Sequence, residues 1–164
     1  MSECRTCGKR IHEERTIEPI LVRGHVTIHV LDGKTWDILD QIEQHNDIVA
    51  SGRSYLGKIL KGSIVPPTHV GVGTSDTATT DSDLLLAAEV FRDTISNRID
   101  ITDGVRIRFF LPTTAANGET LREAGLFSPN PNARLFSRVT YAAIPKSLSV
   151  AVNFSWDITF SQSA

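Results

Sequence analysis

Cys4-x-x-Cys7 is the first spacing in the chain that could do chemistry. Two thiolates at this separation form half of a tetrahedral zinc site, which needs four ligands. Only His12, His25, His29, His45 and His69 could help complete it. His12 is close in sequence, so Cys4, Cys7 and His12 are the candidate metal ligands and zinc the one candidate cofactor. His25 and His29 would share a strand face about 13 Å apart, so one could join them but hardly both. A free arm, or cysteines buried at a subunit contact, is the commoner outcome for such a pair. No βαβ pattern surrounds it, which argues against a redox motif.

Other chemistry-bearing residues are weaker signals. Glu89 and Glu123 could serve as a carboxylate pair for glycoside hydrolysis. Each is more simply a charge hydrogen-bonded at a strand end. Gly71-Val72-Gly73 lacks the third glycine and the helix that a nucleotide loop needs. There is no Gly-x-Ser-x-Gly and no His-Glu-x-x-His, and no serine sits where a histidine would activate it. The expectation is no catalytic residue and no cofactor-binding residue. Arg106, Arg108 and Phe110 should share one strand face, either solvated or in contact with another subunit; the phenyl ring is a poor choice for open water.

The totals fit a protein with one core. The chain has 164 residues, 40% hydrophobic and 22% charged, with net charge −2. That balance gives no reason to expect nucleic acid or an anionic membrane as partner, since both call for a basic excess. No apolar run reaches the roughly 18 residues of a membrane helix. The charged start MSECRTCGKRIHEER has no apolar stretch, so no secretory signal is expected. With both cysteines in that piece, the expected site of synthesis is a reducing cytoplasm.

The elements that must position these residues are mostly strands. From Leu148 to Phe160 every second residue is apolar: Leu148, Val150, Val152, Phe154, Trp156, Ile158 and Phe160. Only a period of two puts them on one side, so this is a long strand with one greasy face. A strand so apolar should lie centrally against a second layer. Residues 1–23 are polar and charged and are expected to form an extended N-terminal arm. Asp32-Gly33 predicts a hairpin, with Val26, Ile28 and Val30 on one face of its first strand. Trp36, Ile38 and Asp40 would mark one face of the second; a helix from Asp37 to Gln44 is the rival reading.

Farther along, Ser51 should cap a short helix with Tyr55, Leu56, Ile59 and Leu60 on one side, stopped by Gly62. Pro66-Pro67 breaks the chain before a strand at Thr68–Val72. Residues 73–83 read as an exposed polar loop. A helical turn at Leu84–Ala87 would precede one strand from Ala88 to Ile99. Asp103-Gly104 and Asn117-Gly118 mark further turns, 128–133 a loop, and Leu135–Ala143 a strand before the terminal one. The fold class is mainly β: an antiparallel β-sandwich with one short helix, occupying residues 24–164 behind the 1–23 arm.

From His45 onward the order of segments carries a resemblance. Its most specific pieces are VGVGT followed by Ala-Glu-Val-x-Arg, the Glu-Ala-Gly-Leu-Phe run at 123–127, and W-x-I-x-F at Trp156–Phe160. The chain resembles a family of small virion proteins of tailed bacteriophages, associated with tail, tail fibre or neck. The CRTC arm is not part of that pattern. The resemblance implies a non-enzymatic structural component of the particle. Its partners would be other virion proteins (tail, neck or major capsid protein), its state a homo-oligomer, and its location the virion after synthesis in the bacterial host cytoplasm. It leaves open tail, neck or fibre attachment and capsid surface decoration. The arm 1–23 and the loops 73–83 and 128–133 would carry the contacts. The alternative is a receptor- or carbohydrate-binding module of a tail fibre, for which Trp36, Phe110 and Tyr141 are the candidate exposed aromatics. An enzyme acting on cell wall or capsule, relying on Glu123, is a third and weaker reading.

Overall fold

The computed structural model describes residues 19–129 and 134–162. Its organising strand is β9 (Val150–Gln162), hydrogen-bonded on both flanks, to β1 (Ile20–Asp32) and β6 (Gly104–Leu111). The alternation read from sequence decides this position. Val152, Phe154, Trp156 and Ile158 are buried on one face, while Asn153, Ser155 and Asp157 face outward. β2 (Ile38–Ile48) completes the first hairpin, as the Asp-Gly signal predicts. It pairs with β1 up to Asn46, then turns to pair through Asp47 and Ile48 with β8 (Leu135–Pro145). That one strand carries the sheet from the first layer into the second.

The remaining strands are β3 (His69–Gly73), β4 (Glu89–Thr94), β5 (Asn97–Ile101) and β7 (Thr120–Phe127). Among the described residues, nine antiparallel strands follow the order β4-β3-β7-β8-β2-β1-β9-β6-β5. The sheet curls so that its halves face each other as a sandwich. Between them, Ile28, Phe109, Phe154 and Trp156 meet Val72, Leu126, Val139 and Tyr141. The rings of Phe154 and Trp156 stack at 5.4 Å, and Tyr141 closes on Phe154 from the opposite layer at 6.0 Å. Fully burying each such side chain stabilises the fold by about 1.5–3 kcal/mol.

Several boundaries differ from the sequence reading, each for a tertiary reason. Ile20–Arg23, assigned above to the arm, are the start of β1, because the end of β9 offers them a paired edge from Thr159 to Gln162. The run Ala88–Ile99 is two strands, β4 and β5, on opposite layers. The chain crosses at Ile95 and Ser96, whose amides donate to Thr68 and Arg108 carbonyls. No glycine or proline marks that corner, so the break is invisible in sequence. Leu84–Ala87 is irregular, with bends, rather than helical. Asn117-Gly118 is a turn, as read, and it carries the chain between layers, since β6 and β7 do not pair.

Helix α1 (Ala50–Leu60) forms and ends at Gly62, whose φ of 72° suits a glycine stop. Its N-cap is Val49, without a side-chain bond. The Ser51 hydroxyl donates instead to the Leu135 carbonyl, tying the helix to β8 at 2.7 Å. Tyr55 is buried and Leu56 and Ile59 are half-buried, but Leu60 points away and is 82% exposed.

Candidate functional site

Among the described residues, three places gather side chains that could serve a site: the outer face of the second layer, the outer face of the first, and one apolar end.

On the second layer, Val70 and Val72 of β3 point into the core, so Gly71 and Gly73 face outward. Gly73 pairs in register with Glu89 of β4 on one side and Glu123 of β7 on the other. The fold therefore does bring the two sequence-selected carboxylates to one neighbourhood. A Cβ on Gly73 would lie 2.5 Å from a Glu123 oxygen and from the Ala88 carbonyl, so glycine leaves the room this packing needs. Glu123 is fully buried. Its Oε1 accepts the Ala88 amide at 2.7 Å, and its Oε2 accepts the Ala87 amide at 3.1 Å and Arg138 Nε at 2.9 Å.

Arg138, on β8, is the centre of this group and was not singled out by sequence. Its guanidinium also donates to Asp83 at 2.7 Å and to the Thr77 carbonyl at 3.0 Å. Residues 74–88 are thus strapped across the sheet rather than projecting as a free loop. Beneath the strap, Val49, Leu86, Phe127 and Leu135 form a second small core. Burial pushes the Asp83 carboxyl up, but hydrogen bonds from Thr80 and Arg138 outweigh it and hold the group below its ordinary value. Glu89 pairs with Arg92 at 2.6 Å, and that guanidinium lies 3.5 Å over the Phe127 ring.

Acid–base work at a sugar bond needs two carboxylates facing a substrate. Here both oxygens of Glu123 are occupied by fixed donors and neither faces solvent. The arrangement fastens a chain segment. No sequence signal could have separated Arg138 from an ordinary outward-facing arginine on a strand, because its partners come from 15 to 61 residues away.

Among the described residues, none covers the outer face of the first layer. Register aligns His45, His25, Asp157 and Arg106 across four strands, then Glu43, Thr27, Ser155 and Arg108, then Gln41, His29, Asn153 and Phe110. Arg106 grips Asp157 through two bonds at 2.6 and 2.7 Å. The hydrogen bonds to Asp157, and then its charge, raise the Arg106 pKa further. His25 and His45 meet edge to face at 5.7 Å. Phe110 is not alone in water: the Trp36 ring lies 5.9 Å away. Trp36 sits in the β1–β2 turn instead of on β2, as the sequence had placed it. Tyr141, the third candidate exposed aromatic, is in the core, its hydroxyl donating to the Glu123 carbonyl at 3.0 Å. Burial, then the Glu123 charge, push its pKa up.

At one end, Leu56 and Ile59 of α1, Pro66, Pro67, Val105 and Phe160 line an apolar cleft of about 200 Å³. Leu60 and Val65 lie on the same α1–Pro66 stretch, 82% and 57% exposed.

Cys4, Cys7 and His12 lie outside the described residues, as do residues 130–133 of the second contact loop. Among the described residues, no cluster of three or more His, Cys, Asp or Glu is arranged to hold a metal. No described helix is long and apolar enough to cross a membrane. No protein-family model, curated protein or solved structure matches the chain.

Proposed function

We propose that this protein is a non-enzymatic structural component of a tailed-phage virion. It docks on neighbouring virion proteins, in tail, neck or fibre attachment or as a capsid surface decoration, and is present in multiple copies arranged by the particle's symmetry. The resemblance running from His45 to Phe160 supports the placement in a particle. The structural observation that carries the docking role is the apolar end, where Leu56, Ile59, Pro66, Pro67, Val105 and Phe160 line a cleft between α1 and β6 and the same α1–Pro66 stretch leaves Leu60 and Val65 exposed. An apolar cleft open at the surface marks a protein contact surface. The strap pinned across the second layer supports the same reading, since a block with fixed loops can be gripped without rearranging. Residues 1–23 carry further contacts in this proposal.

Mass spectrometry and electron microscopy of purified particles test it. The expected result is this protein in fixed stoichiometry, with density that accepts the sandwich. A Leu60→Glu, Val65→Glu variant should fold normally and be lost from particles, and deletion of residues 1–18 should weaken incorporation. Particles that never contain the protein would overturn the proposal. Undiminished incorporation of the double variant would remove the apolar end from it.

A further inference from the structure

Trp36 stands where its residue type is least at home. Its φ is 65°, in the left-handed region that glycine and asparagine tolerate and bulky side chains avoid. The turn is held without the indole. Asp32 Oδ1 accepts the Lys34 and Thr35 amides at 2.8 and 2.9 Å, and the Asp32 carbonyl accepts the Trp36 amide at 2.9 Å. The Gly33 amide donates to Ser149 at 2.8 Å, fixing the turn to the body. The indole itself is 56% exposed, so core packing does not explain it either. Strained, over-determined positions of this kind cluster at functional sites.

The ring has a partner and a setting. It lies 5.9 Å from Phe110 at a tilt of 50°, so the two make one apolar platform at the edge of a polar sheet face. From Phe110 the register runs through Asn153 and His29 to Gln41, all facing outward and at least partly exposed. The strands carrying them are about 4.8 Å apart. His29 Nε2 and Gln41 Oε1 already bond at 3.0 Å, so these side chains hold fixed positions. The row offers uncharged donors and acceptors beside two aromatic faces. In the neighbouring row Glu43 and Arg108 balance in charge.

We propose that this face binds a saccharide. A pyranose ring has an apolar C–H face that stacks on an aromatic ring and a rim of hydroxyls that both donate and accept. Trp36 and Phe110 supply the first contact, and Asn153, His29 and Gln41 the second. Because the platform is an open strand face, it suits a glycan chain lying across the strands more than an enclosed monosaccharide. Single-site binding would be weak and would gain from many copies. The inference does not depend on where the protein sits in a particle.

The test uses the full chain on an array of bacterial-surface and common oligosaccharides, with each hit titrated by calorimetry on the parent and on each variant, and by tryptophan fluorescence on the parent. The chain's other tryptophan, Trp156, is fully buried in the core, so a saturable change reports on Trp36. Trp36→Gly relieves the backbone conformation and should fold at least as well as the parent, so a loss of binding cannot be blamed on misfolding. The expected result is saturable binding of at least one saccharide class, weakened about tenfold or more by Trp36→Gly. Asn153→Ala should weaken it severalfold. An array without signal, or hits that bind Trp36→Gly unchanged, would overturn the proposal. So would loss of particle incorporation in Trp36→Gly without any saccharide binding, which would assign the ring pair to a protein contact. Incorporation and glycan binding are read separately, so this inference and the virion proposal can fail independently.

Discussion

The outer face of the second layer is roofed by residues 74–88, and the outer face of the first is open among the described residues. Both carry an arginine paired with carboxylates, and the two pairs live in different surroundings. Arg138 and Glu123 are 2% and 0% exposed, while Arg106 and Asp157 are 38% and 22% exposed. Under the roof, every oxygen of Glu123 has a fixed donor, and Asp83 and the strap's own backbone use the rest of the guanidinium. On the open face, the polar rows face outward from the sheet. A covered charge must be matched or the fold suffers, whereas an uncovered one can be left for a ligand. The difference explains why the conspicuous glutamate of the sequence fastens a chain segment, and why the proposed binding surface is the uncovered face.

The sharpest way to break this contrast is Arg138→Met. It strands a buried carboxylate and should cost about 3–5 kcal/mol in denaturant unfolding. The double change Arg138→Met, Glu123→Leu should recover most of that loss, because no lone charge is left inside. If the single change proves harmless, the roof is not pinned by this group. Next, Gly73→Ala should cost about 1–3 kcal/mol, since the added methyl meets both the Ala88 carbonyl and Glu123.

Acid should act on the roof first. Asp83 has its folded pKa held below its unfolded value of 3.8. Its contribution is therefore complete above that pH and is lost as pH falls further, through the lower folded value. Proteolysis within residues 74–88 should accelerate in that range before the core unfolds. An unchanged cleavage rate would place the roof's stability elsewhere. The smallest expected effect is on the open face: Arg106→Gln should change stability by less than about 1 kcal/mol, and salt should mask even that. A larger loss would mean that the first layer, too, depends on its surface pair.

Much of the fold was legible in the residues. The Asp32-Gly33 and Asp103-Gly104 hairpins, the helix stop at Gly62 and the buried faces of β1, β6 and β9 follow from turn chemistry and a period of two. The break at Ile95–Ser96 was not legible, because no glycine or proline marks where the chain leaves one layer for the other. Of the candidate aromatics, Trp36 and Phe110 could be named but not paired, being 74 positions apart by number, and Tyr141 could not be told from a surface tyrosine.

The amino-acid sequence alone determined the period and the turns, and with them the strands and which side of each is apolar. Those features depend on neighbours within a few residues. Only the tertiary structure decided that Arg138 meets Glu123 under a strap, that Trp36 meets Phe110 on open sheet, and that one strand spans both layers. Each of these is a contact between segments far apart in the chain, fixed by how the sheet curls.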